Sequence, residues 1–107
     1  MESKMIDLEK IAGVDEYTRA EKEGDKLYSV PEGKVFLVVG PKTLQVRCDG
    51  KLSRLLMEQY ETVMESRYFG RGGIEIVPSG QLSDEEIEDL VRLSYNLTME
   101  LKMTEDN

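Results

Sequence analysis

Five consecutive apolar residues, Val35-Phe36-Leu37-Val38-Val39, lie between two turn signals, Pro31-Glu32-Gly33 and Gly40-Pro41-Lys42. The run is too short for a helix. Three of its five residues are β-branched, and its lack of polar alternation predicts a strand covered on both faces, central in a sheet. Such a strand needs partners on either side, and the chain offers them through short connections. Before it, Lys26–Val30 carries Leu27, Tyr28 and Val30 and reads as the other arm of a hairpin. After it, Thr43–Cys48 alternates Leu44, Val46 and Cys48 against Gln45 and Arg47, which predicts one core face and one polar face.

Helices are marked by caps and spacing. Ser83-Asp84-Glu85-Glu86 forms a capping box, with Ser83 at the N-cap and Glu86 three residues on. Ile87, Leu90, Val91, Leu97 and Leu101 then mark one face of a helix reaching about Lys102, with Thr104–Asn107 frayed. Asp49 can cap a second helix over Gly50–Tyr60, whose apolar stripe is Leu52, Leu55, Leu56 and Tyr60. A first amphipathic helix is expected over Ser3–Ala12, closed by Gly13. The charged stretch Asp15–Asp25 reads as a loop, Glu61–Phe69 as a segment ending in a short strand, and Gly70-Arg71-Gly72-Gly73 as a glycine-rich turn before the strand Ile74–Val77. The expected fold is α+β: one domain over residues 1–107, an antiparallel sheet of four to five strands, helices at both ends of the chain and one between strands.

Composition narrows the chemistry. Histidine is absent from the 107 residues, which removes Ser-His and Cys-His nucleophile pairs and every His-containing metal site. The one cysteine, Cys48, cannot form an internal disulfide and suits a reducing cytoplasm. No apolar run approaches the roughly 18 residues of a membrane span, and the charged opening lacks a signal-peptide core. The expectation is a soluble, cytoplasmic, non-enzymatic protein without cofactor or metal.

Charge is uneven along the chain. The formal net charge is −8, yet residues 26–71 carry 8 bases against 5 acids, while 72–107 carry 2 bases against 9 acids. A basic patch of Arg47, Lys51, Arg54, Arg67 and Arg71, with Tyr68 available to stack on a base, is the candidate nucleic-acid surface. Ordinary solvated charge is the competing explanation, favoured by the acidic total. The glycine-rich stretch lacks the GK[ST] ending of a phosphate loop, and the acidic clusters around Glu85, Glu88 and Asp89 or Asp15, Glu16, Glu21 and Glu23 lack EF-hand spacing. Cys48 shares parity with Leu44 and Val46 and is read as a small core residue.

In order and spacing, the segments LEKIAGVDE (8–16), GKVFLVV (33–39), LQVRCDGKLSRLLMEQY (44–60) and LSDEEIEDLVRLSY (82–95) resemble the MmcQ/YjbR family. The resemblance covers most of the chain and includes the Cys48-Asp49 junction and the Ser94-Tyr95 pair. It departs at Ser66–Ile76, where many members have a basic stretch leading to His-Trp and this chain has neither residue. The resemblance implies a YjbR/CyaY-like, "double wing" fold and a non-enzymatic protein labelled DNA-binding by fold analogy. DNA binding, weak and salt-sensitive, is therefore the first functional expectation. A protein-interaction or regulatory domain is the alternative, and a frataxin-like metal role comes third.

Overall fold

The computed structural model describes residues 8–78 and 80–105. Six strands, β1 (Thr18–Lys22), β2 (Asp25–Ser29), β3 (Val35–Val39), β4 (Leu44–Arg47), β5 (Val63–Ser66) and β6 (Gly70–Ile76), form one antiparallel sheet in the order β1-β2-β3-β4-β6-β5. Helix α1 (Gly50–Gln59) connects β4 to β5, and α2 (Asp84–Glu105) follows β6. The fold is α+β, with one strand more than the upper expectation.

The additional strand is β1, in the stretch expected to be a loop. All five of its residues are exposed, so no apolar alternation marks it. It exists because Glu23 and Gly24 both take positive φ, 53° and 90°, giving a two-residue hairpin turn whose twist suits the flanking strands. Its charged side chains guard an open sheet edge against further pairing.

The register explains the two faces of the sheet. Leu37, Val46 and Ile74 are cross-strand partners in one row, and Val39, Leu44, Ile76 and Val63 form the next. These rows make the core with Ile87, Leu90, Val91 and Tyr95 of α2 and the half-buried Leu52, Leu56 and Met57 of α1 and its C-cap Tyr60. Helix α2 lies over β3 and β4, and α1 over β5 and β6. On the opposite face the row Ala20, Leu27, Val38, Gln45, Glu75, Met64 crosses all six strands.

Helix ends follow the expected caps. Asp49 Oδ1 accepts from the Leu52 N–H at 3.0 Å. Ser83 N–H donates to Glu86 Oε1 at 2.8 Å while Glu86 N–H donates to Ser83 Oγ at 3.1 Å, closing the capping box in both directions. Three expectations need correction. Leu55 is not on the buried stripe but 60% exposed, because the stripe turns through Ser53 and Met57 instead. Within the described residues, the first helix is only a 3₁₀ turn at Leu8–Lys10, and its expected opening, residues 3–7, lies outside them. The Gly70–Gly73 stretch is not a turn; the turn is Arg67–Phe69 and the glycines belong to β6. Gly73 is needed there for closeness, since a Cβ would stand 2.4 Å from the Val46 carbonyl oxygen and 2.7 Å from Phe69 Cβ.

Helix α2 is tied to the sheet by one hydroxyl. Ser94 Oγ donates to the Phe36 carbonyl at 2.6 Å and accepts from the Arg47 N–H at 2.8 Å, bridging β3 and β4 just beyond their last paired residues. Tyr95 stacks edge-on against Phe36, with centroids 4.9 Å apart, and donates to the Glu16 carbonyl at 2.7 Å. Replacing Ser94 by alanine orphans two buried backbone groups and is expected to cost about 2 kcal/mol, against about 1 kcal/mol for Ser83→Ala, which removes a solvated cap. Denaturant melts of both variants test this ordering.

Candidate functional site

The six residues of the expected basic patch fall into two groups. Arg47, Arg67 and Tyr68 belong to the first, built around the Arg67–Phe69 turn. Gln45, only 6% exposed although it was expected on a polar face, accepts at Oε1 from Ser66 Oγ at 2.7 Å and from the Tyr68 N–H at 2.8 Å. Ser66 Oγ in turn accepts from the Phe69 N–H at 2.8 Å. Glu75, the cross-strand partner of Gln45, receives Arg67 Nε at 3.2 Å, Arg67 Nη2 at 2.9 Å and Thr43 Oγ1 at 2.8 Å. Two buried polar side chains of the sheet thus fold the turn down onto it. Arg47 donates from Nε to the Val35 carbonyl at 2.9 Å and holds its guanidinium 4.8 Å from the Phe69 ring centroid. Tyr68 packs edge-on against Phe69. Both arginines of this group are committed to the fold.

Lys51, Arg54 and Arg71 make up the second group. Lys51 and Arg54 are exposed on α1, and Arg71 is exposed on β6. Arg54 and Arg71 share the wall of a pocket of about 430 Å³ between α1 and the β5–β6 hairpin, together with Gly50, Ser53, Met57, Glu65 and Gly73. Ser53 was not singled out by the sequence. It is 4% exposed, and among the described residues its hydroxyl is the one buried side-chain polar atom with no hydrogen-bond partner of proper geometry. An unsatisfied buried hydroxyl costs about 1–3 kcal/mol. Its signal was a polar residue inside the apolar arc of Leu52, Leu56 and Met57.

A second concavity, an apolar groove of about 180 Å³, runs between the start of α1 and the middle of α2. Leu52 lines it from α1 and Leu90, Leu93 and Leu97 from α2, together with Cys48 and the polar residues Arg47, Asp49, Asn96 and Glu100. Leu93 is 52% exposed there, and Leu55, one turn on from Leu52, is more open still. Cys48 is buried, as its strand parity implied. Burial pushes its thiol above the ordinary value and the Asp49 carboxylate adds to this, while the neighbouring Ser53 hydroxyl acts in the opposite direction without cancelling it.

Among the described residues no three His, Cys, Asp or Glu side chains gather as a metal-binding group, and no helix is long and apolar enough to cross a membrane. No family model, curated protein or solved structure matches the chain.

Two measurements follow from these environments. Native Cys48 should react slowly with a thiol reagent at neutral pH and rapidly once the protein is unfolded; fast native labelling would reverse the assignment. Burial alone would raise the Glu75 carboxyl, but hydrogen bonds from Arg67 and Thr43 and the Arg67 charge outweigh it and hold the group below the usual carboxylate value. A lowered folded value stabilises the native state above the unfolded carboxyl's pH of about 4.3 and is lost as pH falls through the folded value. Arg67→Ala leaves the burial without its main counterweight, so acid unfolding should begin at higher pH than in the wild type.

Proposed function

We propose that the chain is a cytoplasmic, non-enzymatic binding module of the MmcQ/YjbR type, and that its partner is a protein rather than a nucleic acid. The observation that carries this reading is the open groove between α1 and α2, with Leu52, Leu90 and Leu97 inside it and Leu93 exposed at its wall. A bare leucine-lined slot between two helices suits the apolar face of a partner helix. Its rim holds Asp49 and Glu100 beside Arg47 and Asn96, and residues 72–107 carry 9 acids to 2 bases, so the excess charge around it is negative and the fitting partner is an amphipathic helix with lysines or arginines beside its apolar stripe. The same charge disfavours a second copy of this chain.

The family assignment is supported by the roles of the residues that carry the resemblance. Cys48-Asp49 is the junction where β4 ends and α1 is capped. Ser94-Tyr95 is the pair that binds α2 to β3 and β4. Nucleic-acid binding through the central segment is the weaker reading, because Arg47 and Arg67 are occupied and only Lys51, Arg54 and Arg71 remain around α1.

Fluorescence anisotropy separates the two. A labelled model helix with leucines at helical spacing and lysines on its other face should bind at physiological salt, and its glutamate counterpart should not. Leu93→Asp, a change at an exposed position, should weaken the lysine helix about tenfold while leaving the melting temperature near wild type. Duplex DNA should bind only at low salt, with a log–log salt slope no steeper than about −3. Tight duplex binding at physiological salt that Arg54→Ala weakens, with no binding of the lysine helix, would overturn the proposal.

A further inference from the structure

Of the two edge strands of the sheet, β5 lies under α1, while β1 pairs with β2 and carries neither helix. All five residues of β1 are exposed. Its hairpin turn at Glu23-Gly24 makes the flanking Lys22 and Asp25 a hydrogen-bonded pair, and the bonding alternates along the ladder from there. Ala20 and Thr18 therefore direct their N–H and C=O groups to Leu27 and Ser29, whereas Arg19 and Glu21 turn theirs outward. Such an edge is a template for another strand.

The charges on β1 turn away strands that cannot match them, but they do match one, a second copy of β1 running antiparallel. If the copies are centred on Arg19, two guanidinium groups face each other, and if they are centred on Glu21, two carboxylates do. Centred on Ala20, Arg19 of each copy stands opposite Glu21 of the other, and Thr18 opposite Lys22. Like charges directly opposite destabilise a strand pair and unlike charges stabilise it, which selects the register on Ala20. In that register both Arg19–Glu21 pairs are of the hydrogen-bonded kind, so the outward backbone groups are satisfied in both directions. The Ala20 pair on the two-fold axis is of the closer kind, with Cα atoms about 4.5 Å apart, where a small side chain fits. Within one chain Arg19 faces Tyr28 and Glu21 faces Lys26. The row across the junction then reads Lys26 and Glu21, followed by Arg19 and Tyr28 of the second copy, and its charges alternate in sign. The net charge of −8 opposes association in general, yet residues 18–26 carry three bases and three acids, so the parts that meet are neutral.

We propose that two copies of this chain pair through β1 as a two-fold symmetric dimer, joining their sheets into one across the Ala20 axis. Each copy's β1 edge is consumed by the other, so the assembly closes at two rather than growing into a filament. The leucine groove lies between helices that pack over β3 to β6, and it stays open in each copy. Pairing over one short strand makes a small contact and hence a weak dimer, with a Kd on the order of 100 μM.

Sedimentation equilibrium and amide hydrogen exchange on the full chain test this together. As concentration rises to about 1 mM the wild type should pass reversibly from monomer to dimer without larger species, and about 0.5 M salt should weaken the dimer several-fold. Over the same range the Arg19 and Glu21 amides should gain protection, while Ala20, already bonded to β2, should change little. Arg19→Glu and Glu21→Arg each set like charges opposite one another and should weaken self-association about tenfold or more. Mixing these two variants restores both unlike pairs, and the mixed dimer should form with an affinity within about threefold of the wild type. Glu21→Pro removes an outward N–H without touching the bonds to β2 and should also prevent pairing. Leu93→Asp, in the separate groove, should dimerise like the wild type. A chain still monomeric at the highest concentration, a dimer indifferent to Arg19→Glu or abolished by Leu93→Asp, or variants that fail to associate when mixed would each overturn the proposal.

Discussion

The Ser94 hydroxyl uses both of its hydrogen-bonding capacities on the backbone of two neighbouring strands, and the geometry of everything downstream follows from it. At the place where β3 and β4 stop pairing directly, it takes the Arg47 N–H and gives its proton to the Phe36 carbonyl. The next residue of β4's path is Cys48, then the cap Asp49, so the departure of α1 from the sheet is set where Ser94 closes the ladder. Both concavities depend on that departure, because α1 forms a wall of each. The other side-chain ties of α2, Arg92 to the Ala12 carbonyl, Tyr95 to Glu16 and Lys102 to Pro31, likewise end on backbone carbonyls. They hold the path of the chain rather than particular side chains.

Much of this was written plainly in the residues. The apolar run at Val35–Val39, the strand at Leu44–Arg47, the Asp49 cap and the reciprocal Ser83–Glu86 box all act locally, through steric preference or a bond within a few residues, and all four elements occur where the pattern places them, although Gln45 is buried rather than on an open polar face. What escaped was structure that depends on distant partners. Strand β1 has no buried side chain to announce it and exists by pairing with β2. The glycines at 70–73 look like a turn in isolation, yet Gly73 is small because the Val46 carbonyl and Phe69 approach it, and neither neighbour is visible in the local sequence.

The candidate sites show the same division. Basic residues are easily counted, but whether a guanidinium is free depends on what faces it across the sheet. Arg67 is matched by Glu75 and Arg47 by the Val35 carbonyl and Phe69, through contacts that no spacing rule encodes. Ser53 and Gln45 were passed over for the complementary reason: polar residues are read as exposed, and only the place of Ser53 inside the apolar arc of α1 pointed the other way. The leucine groove was partly legible, since Leu90 and Leu97 were on the expected face, but Leu93, off that face, lines it as well while remaining half exposed, and no local pattern marks it.

The ties of α2 also bear on the order in which the molecule assembles. They join residues 58, 71, 79 and 80 positions apart, whereas β1 to β4 pair through successive short turns. Closing a long loop costs only slightly more entropy than closing a moderate one, so such distant bonds weaken the finished fold little. They do slow its arrival, because the meander can form before any of them is in place. During that interval the apolar rows of the sheet face water, the condition under which unfinished chains adhere to one another. The carboxylates that crowd the first turn of α2 then act at a distance: the surplus negative charge keeps partly assembled molecules apart until the last helix arrives to cover the sheet.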